Sequence, residues 1–326
     1  MTDYFFAWWN LENLFDVQNS AQRPAWLQKE LNKELQGWDQ AVLDKKISQL
    51  SKIIRKLNGG AGPDILGVCE VEDKPVLDLL VRSLNPLRRN YAVEHHDTSD
   101  QRGIDVAFIY DTAKFTAKAQ FFHVILKRTG TRDLFQVNFE TANNKTLILI
   151  GNHWPSRTGG ELETEPYRIL AGETLSYWLT RIPEKSGDEN IGIVIMGDFN
   201  DEPFNRSLTK HTLGTDSTQR VLNAKTPMVL NLMSPFMGKG IGTHFYESKM
   251  NMLDQFLISR SILNAQSGFV VKKESSGRNM VKIEVFPEMT ATGAYPTPIR
   301  FGRPSSGLNQ EGFSDHFPIS VGITEI

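Results

Sequence analysis

The segment Ile191–Asn200, with the sequence IGIVIMGDFN, constrains this chain more than any other. Its apolar run is rich in β-branched residues, which is typical of a buried strand, and Gly197 allows a sharp break. Asp198 and Asn200 follow two residues apart, so an extended backbone points both side chains to one side. Ligand sites of α/β sheets usually lie at such strand ends. The segment predicts an α/β fold with chemistry here, and the competing interpretation is an Asx turn that closes the strand.

Polar residues border several other predicted strands in the same manner. They are Asn10 and Glu12 after Tyr4–Trp9, Glu70 after Ile65–Val68, Asp105 within Ile104–Tyr110, Asn152, His153 and Arg157 beside Leu147–Gly151, Asp254 in Leu253–Ser259, and Asp315 and His316 before Phe317–Val321. A carboxylate such as Glu70 is a suitable ligand for a hard divalent cation. His153 and Arg157 carry donors suited to a phosphoryl oxygen. Each residue alone also has an ordinary explanation as a strand exit, a helix N-terminus or a surface group.

The pair Asp315–His316 can serve two partners. Adjacent residues on an extended segment face opposite ways, so Asp315 would bind a metal while His316 faces substrate. A second carboxylate, for which Asp254 is the candidate, would fix the tautomer of that imidazole and favour its charged form.

Composition limits the classes of protein that fit. No Pro/Gly/Ser-rich linker or repeat divides the 326 residues, so we expect one domain over residues 1–326. The 36 basic and 38 acidic residues give a net charge of −2, which excludes the strong positive field of an indiscriminate nucleic-acid binder. A local basic patch remains compatible with this balance. Cys69 is the single cysteine, so an intramolecular disulfide is excluded.

Targeting signals are not evident in the chain. No apolar run approaches the roughly 18–20 residues that span a bilayer. The segment Met1–Asn10 has neither a basic region nor a small-residue cleavage site. We therefore expect a cytoplasmic protein with no membrane anchor and no obligate protein partner.

Helical spacing of apolar residues predicts a helix over Asp39–Leu57, a second after Pro75 and a third over Tyr167–Arg181. Further strands are predicted at Tyr91–Glu94, Phe121–Ile125, Leu134–Phe139 and Val281–Phe286. The Pro- and Gly-rich segment Glu288–Gly312 predicts a surface loop. Its Tyr295, Arg300, Phe301 and Arg303 would clamp a base or ring of a substrate, or the segment is an ordinary solvated loop.

The order of these motifs carries a resemblance to a known group of proteins. Asn10, Glu70, Arg102–Asp105, Asn152–His153, Gly197–Asn200, Asp254 and Ser314–His316 follow one another along the chain. The series resembles the endonuclease/exonuclease/phosphatase superfamily from about Tyr4 to Ile319. The resemblance implies a deoxyribonuclease I-like α/β fold, in which two packed mixed β-sheets flanked by helices form a four-layer sandwich. It also implies phosphoester hydrolysis by water with Mg²⁺, for which Mn²⁺ sometimes substitutes.

The resemblance assigns a role to each motif. It implies that Glu70 is the main metal ligand, with Asn10 and Asp315 close by, and that Glu12 occupies a position that is acidic in some members. It implies that Asp198 orients or deprotonates the attacking water, that Asn200 places the phosphate, and that His316 and His153 contact the phosphate. It also implies that Asp254 partners His316, and it offers Asp105 as a partner of His153. Asn152 and Arg157 are further candidates for binding substrate.

Three functions follow from the sequence. The first is a Mg²⁺-dependent phosphodiesterase that acts as a nuclease on DNA or RNA. The second is hydrolysis of a small or lipid phosphoester, such as an inositol phosphate, a nucleotide or sphingomyelin, because small substrates need no extended basic track. The third is a non-catalytic scaffold, which is disfavoured because every position of the expected site is filled.

Overall fold

A computed structural model describes all residues of the chain, Met1–Ile326. The strands are β1 Thr2–Leu14, β2 Ile65–Val71, β3 Tyr91–His95, β4 Asp105–Asp111, β5 Phe115–His123, β6 Leu134–Thr141, β7 Thr146–His153, β8 Gly192–Asp198, β9 Gly214–Thr215, β10 Val229–Asn231, β11 His244–Tyr246, β12 Lys249–Asn251, β13 Asp254–Ile258, β14 Phe269–Val271, β15 Val281–Ile283, β16 Thr290–Ala291, β17 Thr297–Pro298 and β18 Ile319–Glu325. The α-helices are α1 Ala25–Leu31, α2 Gln40–Ile54, α3 Lys74–Ser83, α4 Glu161–Ser186, α5 Thr218–Asn223 and α6 Arg260–Leu263. Short 3-10 helices span Asn58–Gly60, Asn85–Leu87, Ser234–Phe236, Pro287–Met289 and Pro304–Ser306, and a π-helix spans Ser207–His211.

Two seven-stranded mixed sheets form the centre of the molecule. The first has the order β14-β18-β1-β2-β4-β3, with β15 also paired to β18, and the second has the order β5-β6-β7-β8-β13-β10-β9. The pairs β1–β2 and β7–β8 are parallel, whereas β1–β18 and β8–β13 are antiparallel. The two ends of the chain meet in the first sheet, where Thr2 pairs with Glu325.

The two sheets pack face to face, and small residues allow their close approach. A Cβ atom on Gly67 of the first sheet would lie 2.6 Å from the Trp8 ring and 2.9 Å from the sulfur of Met196 in the second sheet. A Cβ on Gly151 would lie 2.6 Å from Val106. Because real Cβ atoms do not approach other atoms this closely, both positions require glycine while the sheets stay at this spacing.

Helices cover the outer faces of both sheets. Asp39 and Asp73 cap α2 and α3 by accepting hydrogen bonds from backbone N–H groups in the first turn. The apolar faces of these helices join the same hydrophobic cluster as the first sheet. Helix α4 packs on the second sheet through Leu175 and Leu179. The result is the four-layer α/β sandwich that the sequence predicts, and that prediction is confirmed.

Several predicted boundaries need correction. Strand β5 spans Phe115–His123 and not Phe121–Ile125, because it is an edge strand whose solvent-facing residues lack an apolar pattern. The Glu288–Gly312 segment is held against the fold, since Phe301 is fully buried with its ring centre 5.8 Å from that of Trp38. The Phe301 ring is therefore unable to stack on a substrate. The single domain over residues 1–326 stays a prediction. No helix combines the length and the apolar character that a membrane span requires.

Candidate active site

Three neighbouring strands of the second sheet bring polar residues into one row. His153 ends β7 and lies in register with Asp198, which ends β8. Asp254 begins the antiparallel strand β13 and pairs with Asp198 from the other side. On the facing sheet, Asn10 in β1 pairs with Cys69, the residue before Glu70. The polar residues predicted at strand ends therefore come together from both sheets.

Left-handed backbone conformations turn three of the predicted side chains out of the strands. Glu12, Glu70 and Asn200 have φ angles of 51°, 61° and 50°. Non-glycine residues rarely adopt this conformation, and such strain is common at functional sites. At Glu70 it coincides with a register shift between Cys69 and Val71. The bulge frees the Glu70 carboxylate from the alternation of β2, and one of its oxygens accepts a hydrogen bond of 3.1 Å from Asn13 N.

Asp198 lies at the centre of the cluster. Its Oδ1 accepts a hydrogen bond from Asn200 N at 2.9 Å, and its Oδ2 accepts one from the Asn10 amide at 3.0 Å. The same Oδ2 is 3.9 Å from Nε2 of both His153 and His316. Burial raises the pKa of the Asp198 carboxyl group, and the charge of His316 opposes that rise. The side chain is therefore fixed in orientation and more basic than an ordinary aspartate.

His316 is held by a carboxylate, as the sequence predicts. Its Nδ1 lies 2.6 Å from Oδ2 of Asp254, whose Oδ1 accepts a hydrogen bond of 3.0 Å from the Trp8 indole. Burial acts to lower the pKa of His316, but the carboxylates of Asp254 and Asp198 outweigh it and hold the pKa well above the usual range. His316 is consequently an imidazolium at neutral pH, with Nε2 directed toward Asp198.

His153 differs from His316 in charge and in partners. Burial, together with the charges of Arg132 and Arg102, holds the pKa of His153 well below its usual value, so the ring is neutral. Its Nε2 is 3.6 Å from Oε1 of Glu70, whereas its buried Nδ1 has no hydrogen-bond partner. A proton on Nε2 is therefore the favoured tautomer, because a proton on Nδ1 would have no acceptor.

The expected pairing of Asp105 with His153 is wrong. The Asp105 Oδ1 accepts hydrogen bonds from the Thr98 backbone at 3.0 Å and from its hydroxyl group at 2.5 Å. The other carboxylate oxygen faces His95, whose Nε2 lies 3.6 Å away. Asp105 starts β4 in the first sheet, and its position there directs it to the Thr98 loop instead of toward His153.

The oxygen atoms near Glu70 fit a hard divalent cation. Oε1 of Glu70 and both carboxylate oxygens of Asp315 accept no hydrogen bond from the backbone, and both side chains are partly buried. Burial acts to raise the pKa of Glu70, but the charges of Arg102 and His316 outweigh it and lower the pKa. The carboxylates of Glu70 and Asp315, with the amide oxygen of Asn10, which also accepts a hydrogen bond of 2.9 Å from Glu12 N, are oxygen donors of the kind that Mg²⁺ prefers.

Glu12 requires a correction, because its carboxylate serves a distant loop. Its oxygens accept hydrogen bonds from Phe301 N at 2.7 Å, from Gly302 N at 3.1 Å and from the Arg300 side chain at 3.1 Å. Burial, and after it the charge of Asp315, raises the pKa of Glu12. These contacts occupy the carboxylate, so Glu12 anchors the 300–302 segment and does not present a free ligand oxygen.

Two predicted substrate-binding residues also have other contacts. The buried Asn152 amide donates to the carbonyls of Ile150 and Met196, and its oxygen accepts from the Trp154 indole. Arg157 donates to the carbonyl oxygen of Asn200 at 2.7 Å. Because these polar atoms are engaged within the protein, both residues support the strand ends and the Asn200 turn instead of meeting substrate directly.

Sequence reasoning missed His244, which borders the cluster. Strand β11 carries it, and its ring centre is 4.7 Å from that of His316. Potential ligand atoms of His244, Asp315 and His316 all lie within 4.8 Å of one another. Burial and the nearby His316 charge lower the pKa of His244 to about 3, so it is neutral. The three-residue strand His244–Tyr246 is too short to show a periodic pattern, so no signal in the sequence singled out this histidine.

Comparison with known proteins decides the family. The family model described as endonuclease/exonuclease/phosphatase family matches residues 5–325. The chain belongs to the endonuclease/exonuclease/phosphatase family. Members of this family are metal-dependent phosphoester hydrolases, and the chain is accordingly an enzyme of that class. No match was found among curated protein sequences.

Solved structures show the same fold at low sequence identity. The chain is similar to a family protein from Bacteroides thetaiotaomicron, with 14% identity, a TM-score of 0.59 and coverage of 100% of this chain and 98% of the other. It is similar to a mannosyl-6-phosphatase of the same organism, with 14% identity, a TM-score of 0.57 and coverage of 98% and 99%. The catalytic domain of human nocturnin, which has a bound sulfate anion, gives 14% identity, a TM-score of 0.55 and coverage of 99% and 94%.

Proposed function

We propose that this protein is a Mg²⁺-dependent phosphodiesterase that acts as a nuclease on DNA or RNA. The supporting observation is the placement of two imidazoles around one carboxylate oxygen. Nε2 of neutral His153 and Nε2 of charged His316 each lie 3.9 Å from Oδ2 of Asp198. A base flanked by two hydrogen-bond donors suits the attack of water on a phosphoryl group, because charge grows on the phosphoryl oxygens during the reaction.

Each side chain has a defined task in this proposal. Asp198, held by Asn200 N and Asn10, accepts the proton of the attacking water at its Oδ2. His316 donates a charged hydrogen bond from Nε2 to a non-bridging phosphoryl oxygen, while Asp254 keeps its Nδ1 protonated. The Asn200 backbone turn fixes the rotamer of Asp198, and this orientation directs the base toward the substrate.

His153 completes the proposed donor set. Its neutral ring presents an Nε2–H group beside Glu70, from which it can donate to a second phosphoryl oxygen. Glu70, Asp315 and Asn10 would hold Mg²⁺, with Mn²⁺ as a substitute, and the bound cation would supply Lewis-acid neutralisation of phosphoryl charge. The Glu70 carboxylate is suited to this because its low pKa keeps it ionised at neutral pH.

A second candidate is hydrolysis of a small phosphoester. The net charge of −2 favours it, because a small substrate needs no extended basic surface. The similarity to a mannosyl-6-phosphatase supports keeping this candidate, although at 14% identity that likeness extends to the fold alone.

A substrate panel tests the choice. Single- and double-stranded DNA, RNA, nucleotides, sugar phosphates and inositol phosphates are incubated with the enzyme in Mg²⁺ and, in parallel, in EDTA. We expect metal-dependent cleavage of DNA or RNA at rates well above those on the monoesters. Faster hydrolysis of a sugar or inositol phosphate would favour the second candidate, and an EDTA-resistant cleavage would contradict both.

A further inference from the structure

A cleft of about 390 Å³ is lined by residues of the segments that follow Asp198 and precede Asp254. Its walls are half apolar, and the side chains used below are Glu202, Met237, Ile241, Met250, Met252 and Tyr295. Clefts of this size that combine apolar side chains with polar groups are the usual form of small-molecule subsites. None of these residues has a task in the hydrolysis described above.

Two residues of the cleft lie close along the chain to the acids of the site. Glu202 lies four residues after Asp198, and Met252 lies two residues before Asp254, about 7 Å along an extended chain. Met252 N donates a hydrogen bond of 3.0 Å to Oε2 of Glu202, which joins the two segments at the floor of the cleft. A group bound here would therefore be attached close to the phosphate under attack.

One wall of the cleft belongs to the hairpin formed by β11 and β12. The Thr243 hydroxyl group accepts hydrogen bonds of 3.1 Å from the backbone N–H groups of Leu253 and Asp254, so the hairpin is tied to β13. The next residue, His244, forms an isolated backbone bridge with His316. A ligand in the cleft would therefore contact the hairpin that is bridged to His316.

Flat aromatic and polarizable groups face this space. Tyr295, at the turn between β16 and β17, is 52% exposed, and its ring lies over Gly240, where a Cβ atom would be 3.4 Å from it. The thioethers of Met237 and Met250 line the same cleft. Exposed tyrosine rings stack on nucleobases without regard to sequence, and sulfur atoms make favourable contacts with aromatic rings.

Glu202 contributes a buried carboxylate to the lining of the cleft. Oε2 of Glu202 is used by Met252 N, whereas Oε1 accepts no hydrogen bond in the structure. A carboxylate oxygen accepts from the exocyclic amine of cytosine but is repelled by the carbonyl oxygen of uracil or thymine. The Glu202 carboxylate would therefore distinguish cytosine from uracil, which have nearly the same shape.

We propose that this cleft binds an amine-bearing nucleobase of the nucleotide next to the scissile phosphodiester, with Tyr295 stacking on the base and Glu202 accepting from its amine. The proposal rests on the proposed function, because it assigns a substrate class to the same site. It makes Glu202 a determinant of base specificity and Tyr295 a residue that binds either base.

The p-nitrophenyl diesters of cytidine and uridine 5′-phosphate form a matched pair of probes, since the bases differ only at C4, which carries an amino group in cytosine and a carbonyl oxygen in uracil, and in the proton on N3 of uracil. We expect wild-type kcat/KM to favour the cytidine diester about tenfold. Glu202→Gln should remove or reverse this ratio, because the amide keeps an acceptor for Met252 N and presents an amino group to the base. Tyr295→Ala should lower kcat/KM for both diesters about tenfold, and Tyr177→Ala, at an exposed tyrosine on α4, should lower neither.

Binding without turnover separates this proposal from the proposed function. Calorimetric titration of CMP and UMP into the enzyme in EDTA should show tighter binding of CMP, lost in Glu202→Gln. Equal binding of the two nucleotides in wild type, unchanged by both cleft variants, would overturn the proposal. Failure of the wild type to hydrolyse bis(p-nitrophenyl) phosphate with Mg²⁺ would instead count against the proposed function and leave the binding result to decide the cleft.

Discussion

Asp198 and Asp254 are directly paired residues of two antiparallel strands, and His316 contacts both carboxylates. Like charges directly opposite each other on a sheet are destabilising. The imidazolium offsets that repulsion, and in return the two acids raise the pKa of His316. The charge state of the site therefore depends on a histidine that comes from the last segment of the chain.

Replacement of Asp254 by Asn tests this dependence through pH. The amide removes the charge that keeps His316 protonated, so the His316 pKa falls and the charged donor is lost at a lower pH. We expect the rate to fall about 100-fold at pH 8, and the ratio of wild-type to variant rates to be smaller at pH 6.5. Steady-state rates from pH 6 to 9 measure this ratio, and a ratio independent of pH would contradict the assigned role of Asp254.

Glu12 and Glu70 form a matched pair for testing metal ligation. Glu70→Gln removes an ionised ligand, so the Mg²⁺ concentration for half-maximal activity should rise at least tenfold, since even outer contacts of a metal site are worth that much. Glu12→Gln should leave this concentration within about twofold. It should instead lower the free energy of unfolding by about 1–3 kcal/mol, because a backbone N–H of the 300–302 segment loses its acceptor.

Urea unfolding and Mg²⁺ titration of both variants separate the two roles. A raised Mg²⁺ requirement in Glu12→Gln with unchanged stability would restore Glu12 as a ligand. An unchanged requirement in Glu70→Gln would remove Glu70 from the metal site.

The strands that cross the core could be predicted from the sequence because both of their faces are buried. β8 is buried at every position from Gly192 to Asp198, so its apolar run is continuous. Edge strand β5 is buried only at its two ends, Phe115 and His123, and has polar residues at Lys118 and Gln120, so its true start could not be predicted from an apolar pattern. A strand with both faces buried must be apolar throughout, so it could be predicted from the sequence. The boundaries of a partly exposed strand could not be predicted in this way.

The contacts of the site depend on folding that no local pattern contains. Glu12 and the 301–302 backbone are 289 and 290 residues apart, and nothing in the local sequence of Glu12 distinguishes an anchor from a metal ligand. His244 comes next to His316 through a bridge between a short hairpin and the last loop. The positions at strand ends indicated which residues lie close together. The hydrogen-bond partner of each polar atom could be identified only from the structure.

His123 provides a prediction about stability away from the site. Its ring is buried, with Nε2 2.7 Å from the Gln136 side chain, and burial lowers its pKa in the folded protein. Below about pH 6.5 the unfolded chain takes up a proton at His123 that the folded protein does not, so stability falls as the pH decreases. His123→Gln removes that contribution.

Urea unfolding of wild type and His123→Gln at pH 7.5 and pH 5.5 measures the effect. Any loss of packing against Trp178 is common to both pH values and cancels in the comparison. We expect the variant to lose less stability than wild type between the two conditions. An equal or larger loss would show that His123 is protonated in the folded protein.

The most direct test of the central claim is the Mg²⁺-dependent hydrolysis of bis(p-nitrophenyl) phosphate by wild type, Asp198→Asn and Asp188→Asn. Asp188 is an exposed aspartate shortly before β8 and serves as the matched control. We predict that Asp198→Asn lowers kcat by about 100-fold or more, because the base is lost while the size of the side chain and an acceptor for one of its two donors are kept, and that Asp188→Asn equals wild type. Wild-type turnover in a correctly folded Asp198→Asn variant would contradict the assignment of this cluster as the active site.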